Sequence, residues 1–115
     1  IRYIDTMNTH SHREQLKGWL ELIVLALLHH EPTCGYRLKQ LAIDKSNHLF
    51  SPAFGRLYPL LAEMEKSGFL KSRREAGGTR GQRIYSLTCM GEERLLVLRE
   101  NWKKFSAAMS TIANR

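Results

Sequence analysis

Residues 16–30, LKGWLELIVLALLHH, read as a helix that is apolar nearly all the way round. Such a helix has no face to offer water, so the rest of the chain must be arranged to cover it. Its apolar run, 19–28, is interrupted by Glu21 and is too short to cross a bilayer. The cover is therefore expected from protein, and no membrane partner is expected. A chain of 115 residues makes one domain with a modest core, small enough that association between copies would add to its stability. Glu31–Pro32 ends the helix, because the residue before a proline is pushed out of the α region.

The segments that follow supply the cover. Thr33 or Cys34 opens a second, short helix, GYRLKQLA, with Tyr36, Leu38, Leu41 and Ala42 as its inward residues. Residues 44–49 are a polar connection. Residues 51–68, SPAFGRLYPLLAEMEKSG, form a third helix in which Ser51 is the N-cap and Pro52 the first helical residue. Phe54, Leu57, Leu61 and Met64 fall at helical spacing on its buried face, and Gly68 stands just past its end. Its other face starts with small residues, Ala53 and Gly55, beside Arg56, Tyr58 and Pro59. Small residues admit a close approach, and an Arg and a Tyr hydroxyl can hydrogen-bond to whatever approaches. A helix that leads with its N-terminus towards phosphates and base edges needs this arrangement. A half-exposed surface helix kinked near Pro59 would also account for it.

The period changes after Gly68. Residues 69–75 and 83–87 read as two strands joined by a Gly-rich basic tip, AGGTRGQ. Three helices, the third entered through a short loop and followed at once by a hairpin, make a winged helix-turn-helix. The expected fold is mainly α with a small two-stranded β-hairpin and a long C-terminal helix. The hairpin carries Lys71, Arg73, Arg74, Arg80 and Arg83 against Glu75. Over residues 51–91 there are seven basic and three acidic side chains, so this region holds most of a formal net charge of +7. A basic hairpin beside an open helix start favours double-stranded DNA as partner over a merely solvated face.

Thr88 can cap a last helix reaching about Ala113. Its Leu95, Leu98, Trp102, Phe105, Met109 and Ile112 recur in steps of three and four, an a/d seam that continues beyond the reach of the compact domain. Pairing with the same helix of a second copy would cover it and give two reading helices for a palindromic site. The organisation is then an extension over 1–14, a winged helix-turn-helix over 15–88 and a dimerisation helix over 89–115. Met7 reads as the natural start, with residues 1–6 upstream of it.

Other chemistries find little support. Cys34 and Cys89 match no metal or redox spacing and read as reduced thiols; with no leader pattern, the cytoplasm is expected. His10, His12, His29 and His30 lack carboxylate or thiolate partners at a metal-binding spacing. Ser51, Ser86 and Thr88 have no base and orienting acid, and Glu92–Glu93 suits a helix start rather than a catalytic pair. The expectation is a non-enzyme without cofactor or metal. A winged helix that binds protein instead of DNA is the alternative.

The landmarks LKGWLELIVLALL, GYRL, FGRLYPLLAEMEKSGFL, the basic hairpin, IYSLTCMG and Trp102, in this order, resemble the PadR family of bacterial transcriptional regulators. The resemblance covers about residues 16–105 and is specific in order and spacing. It implies a winged helix-turn-helix homodimer that binds operator DNA, usually as a repressor, of the small subfamily with one C-terminal helix. It implies DNA contacts from a recognition helix over residues 51–64, with Gly55 and Tyr58 matching a Gly-x-x-Tyr pattern and Tyr36 near phosphates. Arg56 departs from the small Thr or Ser usual there; it would either read guanine or hold a phosphate. Some small members of the family bind flat aromatic compounds in a pore between paired subunits. The resemblance puts Trp102 at the stacking position, although seam packing would also explain it. Trp19 stands between the same two readings, core or pore wall.

Overall fold

The computed structural model describes residues 9–75 and 82–114, with side chains from residue 17 onward. Along the chain run α1 (Thr9–His30), β1 (Thr33–Cys34), α2 (Gly35–Lys45), α3 (Phe54–Lys66), β2 (Leu70–Arg74), β3 (Arg83–Leu87) and α4 (Cys89–Ala113). The apolar helix is central, as its composition demands: Leu20, Val24, Leu25, Leu27 and Leu28 of α1 are buried. Leu38 and Ala42 of α2, Leu57, Leu60, Leu61 and Met64 of α3, Leu70 of β2, Tyr85 of β3 and Leu95 of α4 close around them in one cluster. No helix is long and apolar enough to cross a membrane among the described residues.

α1 starts at Thr9 rather than at Leu16. No Gly or Pro intervenes between the two, and extending an existing helix costs far less than starting one. The helix therefore runs through the 14/15 position taken as a domain boundary. Trp19 is 40% exposed and belongs to the surface of α1, not to the core.

The wing is a three-stranded antiparallel sheet in the order β1-β3-β2, where a two-stranded hairpin was expected. Cys34 opens α2 as its N-cap, in extended conformation and without a side-chain cap, and Thr33 and Cys34 also pair with Tyr85 and Ile84 of β3. Pro32 leaves the chain extended, and two residues are too few to show a strand period in the sequence. The main hairpin has the expected strands, with Ser72 opposite Tyr85 and Arg74 opposite Arg83.

The third helix begins later than expected. Its N-cap is Ala53, in extended conformation (φ −69°, ψ 142°), without a side-chain cap. Ser51 and Pro52 lie in the lead-in, ahead of the helix. Leu57, Leu61 and Met64 are buried as expected, whereas Phe54 lies beyond the edge of the core, 36% exposed. The helix remains a single element through Pro59. At its end the Gly68 amide donates to Glu65 O (3.0 Å) and the Phe69 amide to Met64 O (2.9 Å), with Gly68 at φ 89°. This is the left-handed helix terminus that favours glycine.

α4 is joined to this terminus. The Thr88 hydroxyl accepts from the Gly91 amide (3.0 Å) and donates to Gly68 O (2.6 Å). A bidentate pair then fastens α4 to α1: Arg94 Nε and Nη2 donate to the two carboxylate oxygens of Glu21, each at 3.1 Å. This hydrogen bonding raises the Arg94 pKa beyond its ordinary value. Past Leu98 the helix leaves the body of the domain, and Trp102, Phe105, Met109 and Ile112 are exposed on it.

Candidate nucleic-acid interface

Two helix starts meet at one end of the molecule. α2 begins at Gly35, immediately after β1, and α3 crosses it. A β-carbon on Gly35 would lie 2.6 Å from Tyr58 Cε1 and 3.0 Å from its hydroxyl oxygen. Tyr58 therefore rests directly on the backbone at the start of α2, and only glycine leaves that space. Tyr36, the next residue, is 57% exposed. Helical spacing predicts it inward, but with Leu38 and Ala42 turned to the core, the helix phase turns Tyr36 out.

Phe54 links the two tyrosines. Its ring centroid is 6.3 Å from Tyr36 and 5.5 Å from Tyr58, with interplanar angles of 19° and 27°. Lys39 Nζ sits 4.3 Å from the centre of the Phe54 ring, a cation–π contact. Sequence reasoning missed Lys39. Its signal was available, since it stands three residues after Tyr36 on the same outward face of α2.

Around this ladder the leading turn of α3 is open. Ser51, Ala53, Gly55 and Arg56 are exposed and Pro52 half-buried. Nothing lies within 4 Å of where a β-carbon on Gly55 would stand. The smallness of Gly55 is therefore not required by this chain's own packing. No side chain caps the helix, and while the Arg56 amide donates to Ala53 O (3.0 Å), the amides of Phe54 and Gly55 remain available to an acceptor from outside.

The wing adds charge. Lys71, Arg73 and Arg74 are exposed on β2. Arg83 is anchored: its Nη1 donates to Ser72 Oγ (3.1 Å), and Ser72 Oγ donates to Glu65 Oε2 (2.8 Å) on α3. This chain fixes the base of the wing to α3. Below it, burial pushes the Tyr85 phenol above its ordinary pKa of 10; the Glu65 carboxylate adds to the shift and Arg83 opposes it. Arg74 faces Arg83 across the ladder, a like-charged pair that is unfavourable in isolation. Arg80 lies outside the described residues.

A second feature lies on the flank. Trp19, Leu22, Ile23, Phe50 and Trp102 line an apolar groove of about 290 Å³ between α1, α4 and the loop before α3. Trp102 and Phe105 have centroids 5.9 Å apart. The structure thus brings Trp19 and Trp102, far apart in sequence, to one surface. Phe50, which sequence reasoning did not single out, joins them. No cluster of His, Cys, Asp or Glu able to hold a metal occurs among the described residues, and Cys34 and Cys89 are both free.

The fold recurs in known structures. A transcriptional regulator from Clostridium thermocellum superposes with a TM-score of 0.77 at 23% identity, covering 85% of this chain and 93% of its own. A Streptococcus transcriptional regulator is 31% identical, with a TM-score of 0.71 and coverage of 86% and 96%. Bacillus subtilis PadR, solved in complex with operator DNA, superposes with a TM-score of 0.61 at 24% identity, covering 72% of this chain and 45% of its own. No curated protein sequence matches the chain. The Transcriptional regulator PadR-like family model matches residues 24–96, which span the core of α1, the α2–α3 crossing, the wing and the start of α4. The chain belongs to the PadR-like family of transcriptional regulators, a family of regulators and not of enzymes.

Proposed function

We propose that the protein is a sequence-specific DNA-binding regulator, a repressor acting in the cytoplasm as a homodimer on a palindromic operator. The observation that carries this reading is the uncovered leading turn of α3, where Gly55 has open space beside it and Arg56 and Tyr58 are exposed. Small residues there let a DNA backbone or base edge approach, and the uncapped amides favour phosphate. Tyr36 and Tyr58 flank the approach, and the wing cations meet the neighbouring backbone. The structure of Bacillus subtilis PadR with operator DNA supports the same mode of use for this fold.

The dimer is inferred from α4, whose Trp102, Phe105, Met109 and Ile112 are left exposed on the part that outruns the domain. Leu98, half-buried, and Leu95, in the core, begin the same seam. A two-fold pair through this helix would present two α3 helices to successive major grooves. The groove between Trp19 and Trp102 fits a flat aromatic effector whose binding would change the separation of the two reading helices and release the operator.

Binding of the full chain to fragmented genomic DNA at low and moderate salt, with the bound fragments sequenced, tests the reading. Enrichment of one palindromic site that survives moderate salt is the expected result. Uniform binding that disappears with salt would instead leave a merely basic surface and bring forward a winged helix that binds protein.

A further inference from the structure

We propose that Phe54 reads the 5-methyl group of a thymine in the major groove and so sets a thymine at one position of each half-site. The inference rests on the DNA-binding reading above and deepens it by assigning a specificity-determining residue. Phe54 is the first residue of α3. It continues the stripe of Leu57 and Leu61, but one turn beyond the core, so its ring meets the outside where they meet the interior.

An exposed phenylalanine alone would rotate freely and discriminate poorly. This one is held. The offset stacks on Tyr36 and Tyr58 keep it between two helices, and Tyr58 is itself seated on Gly35. Lys39 holds a positive charge over the same ring. The site thus presents an apolar edge with a cation beside it at the leading end of the helix.

Among base edges in the major groove, only thymine carries a methyl, and an apolar side chain is the group that recognises it. A guanidinium selects the O6 and N7 acceptors of guanine instead. Phe54 and Arg56, two positions apart, therefore make different demands on the same groove. Lys39 suits the phosphate that borders the contacted base, a role that positions without specifying.

The test starts with selection of a site from random duplexes by the full-length chain. Each thymine of the selected site is then replaced by uracil, which deletes only the methyl. One thymine per half-site should weaken binding about fourfold on replacement, the fold-change expected for one buried methyl. Phe54→Ala should bind thymine and uracil alike at that position. Phe54→Asn, which keeps a side chain but no apolar edge, should do the same, and circular dichroism should show α3 intact in at least one of the two. A selected site with no uracil effect, or an effect that survives in both variants, overturns the inference while leaving DNA binding standing. Selection of no duplex at all overturns both.

Discussion

At the scale of single residues, Arg56 and Tyr85 lead to separate measurements. Arg56 is exposed on the leading turn of α3, in the place where the family resemblance expects a small hydroxyl. Arg56→Ala should cost about 1–3 kcal/mol in operator binding and relax the preference at one base pair, as read from binding to single-substituted duplexes. An equal loss on every duplex would reduce Arg56 to a phosphate contact. Tyr85 makes a prediction about pH. Its phenol is raised above 10 by burial, so the folded state holds the proton more tightly than the unfolded chain does. The resulting stabilisation is complete below pH 10 and is lost as pH rises through the folded-state value. Thermal melts should show wild-type stability falling more steeply above pH 10 than that of Tyr85→Phe, with the two curves parallel at neutral pH. Neither the burial of Tyr85 nor its neighbour Glu65 is visible in RIYSL, since both depend on how β3 packs against α1 and lies near the side chains of α3 in the folded chain.

At the scale of elements, the junction of α3, the wing and α4 is the tightest point. Thr88 caps α4 and ties it to Gly68, and a β-carbon on Gly91 would stand 2.2 Å from the Phe69 carbonyl oxygen. That contact is to backbone, which cannot rotate aside. Gly91→Ala should therefore cost about 1–3 kcal/mol through forced displacement. Thr88→Ala should cost about 1–2 kcal/mol through the lost cap, and Thr88→Ser should restore most of it. Urea unfolding of the variants measures both. Thr88 as a cap was legible because a capping residue announces itself locally. The start of α3 was not: Ser51-Pro52 looks like a cap and a first turn, yet the helix waits until Phe54.

At the scale of the whole molecule, α4 outruns the domain. The structure extends 54 Å along its longest axis and only 28 and 27 Å across. None of the described side chains past Leu98 is fully buried, and among them are two large aromatics, Trp102 at 46% and Phe105 at 50% exposure. Because Trp102 and Phe105 lie outside the core, changing both to Glu should leave a single copy folded. On the proposed dimer, sedimentation should show dimers for the wild type and monomers for the double variant, and the concentration dependence of the melting temperature should vanish. Operator affinity should fall with it, since two half-sites bound by one body gain from linkage that separate monomers lose.

The sequence by itself determined what local period and punctuation can encode. It specified a helix too apolar to lie on a surface, a basic hairpin, a capped final helix and a seam longer than the domain. The order of those parts identified the winged helix-turn-helix. Tertiary structure alone decided which residues meet: β1 on β3, Tyr58 on Gly35, Phe54 between two tyrosines, and Ser72 between Glu65 and Arg83. Trp19 and Trp102 also share a groove only because α4 packs along α1. A residue's period states which way it faces on its own element. It does not state how far the core extends, and at the edge of this core Phe54 and Tyr36 turn from expected packing into exposed surface.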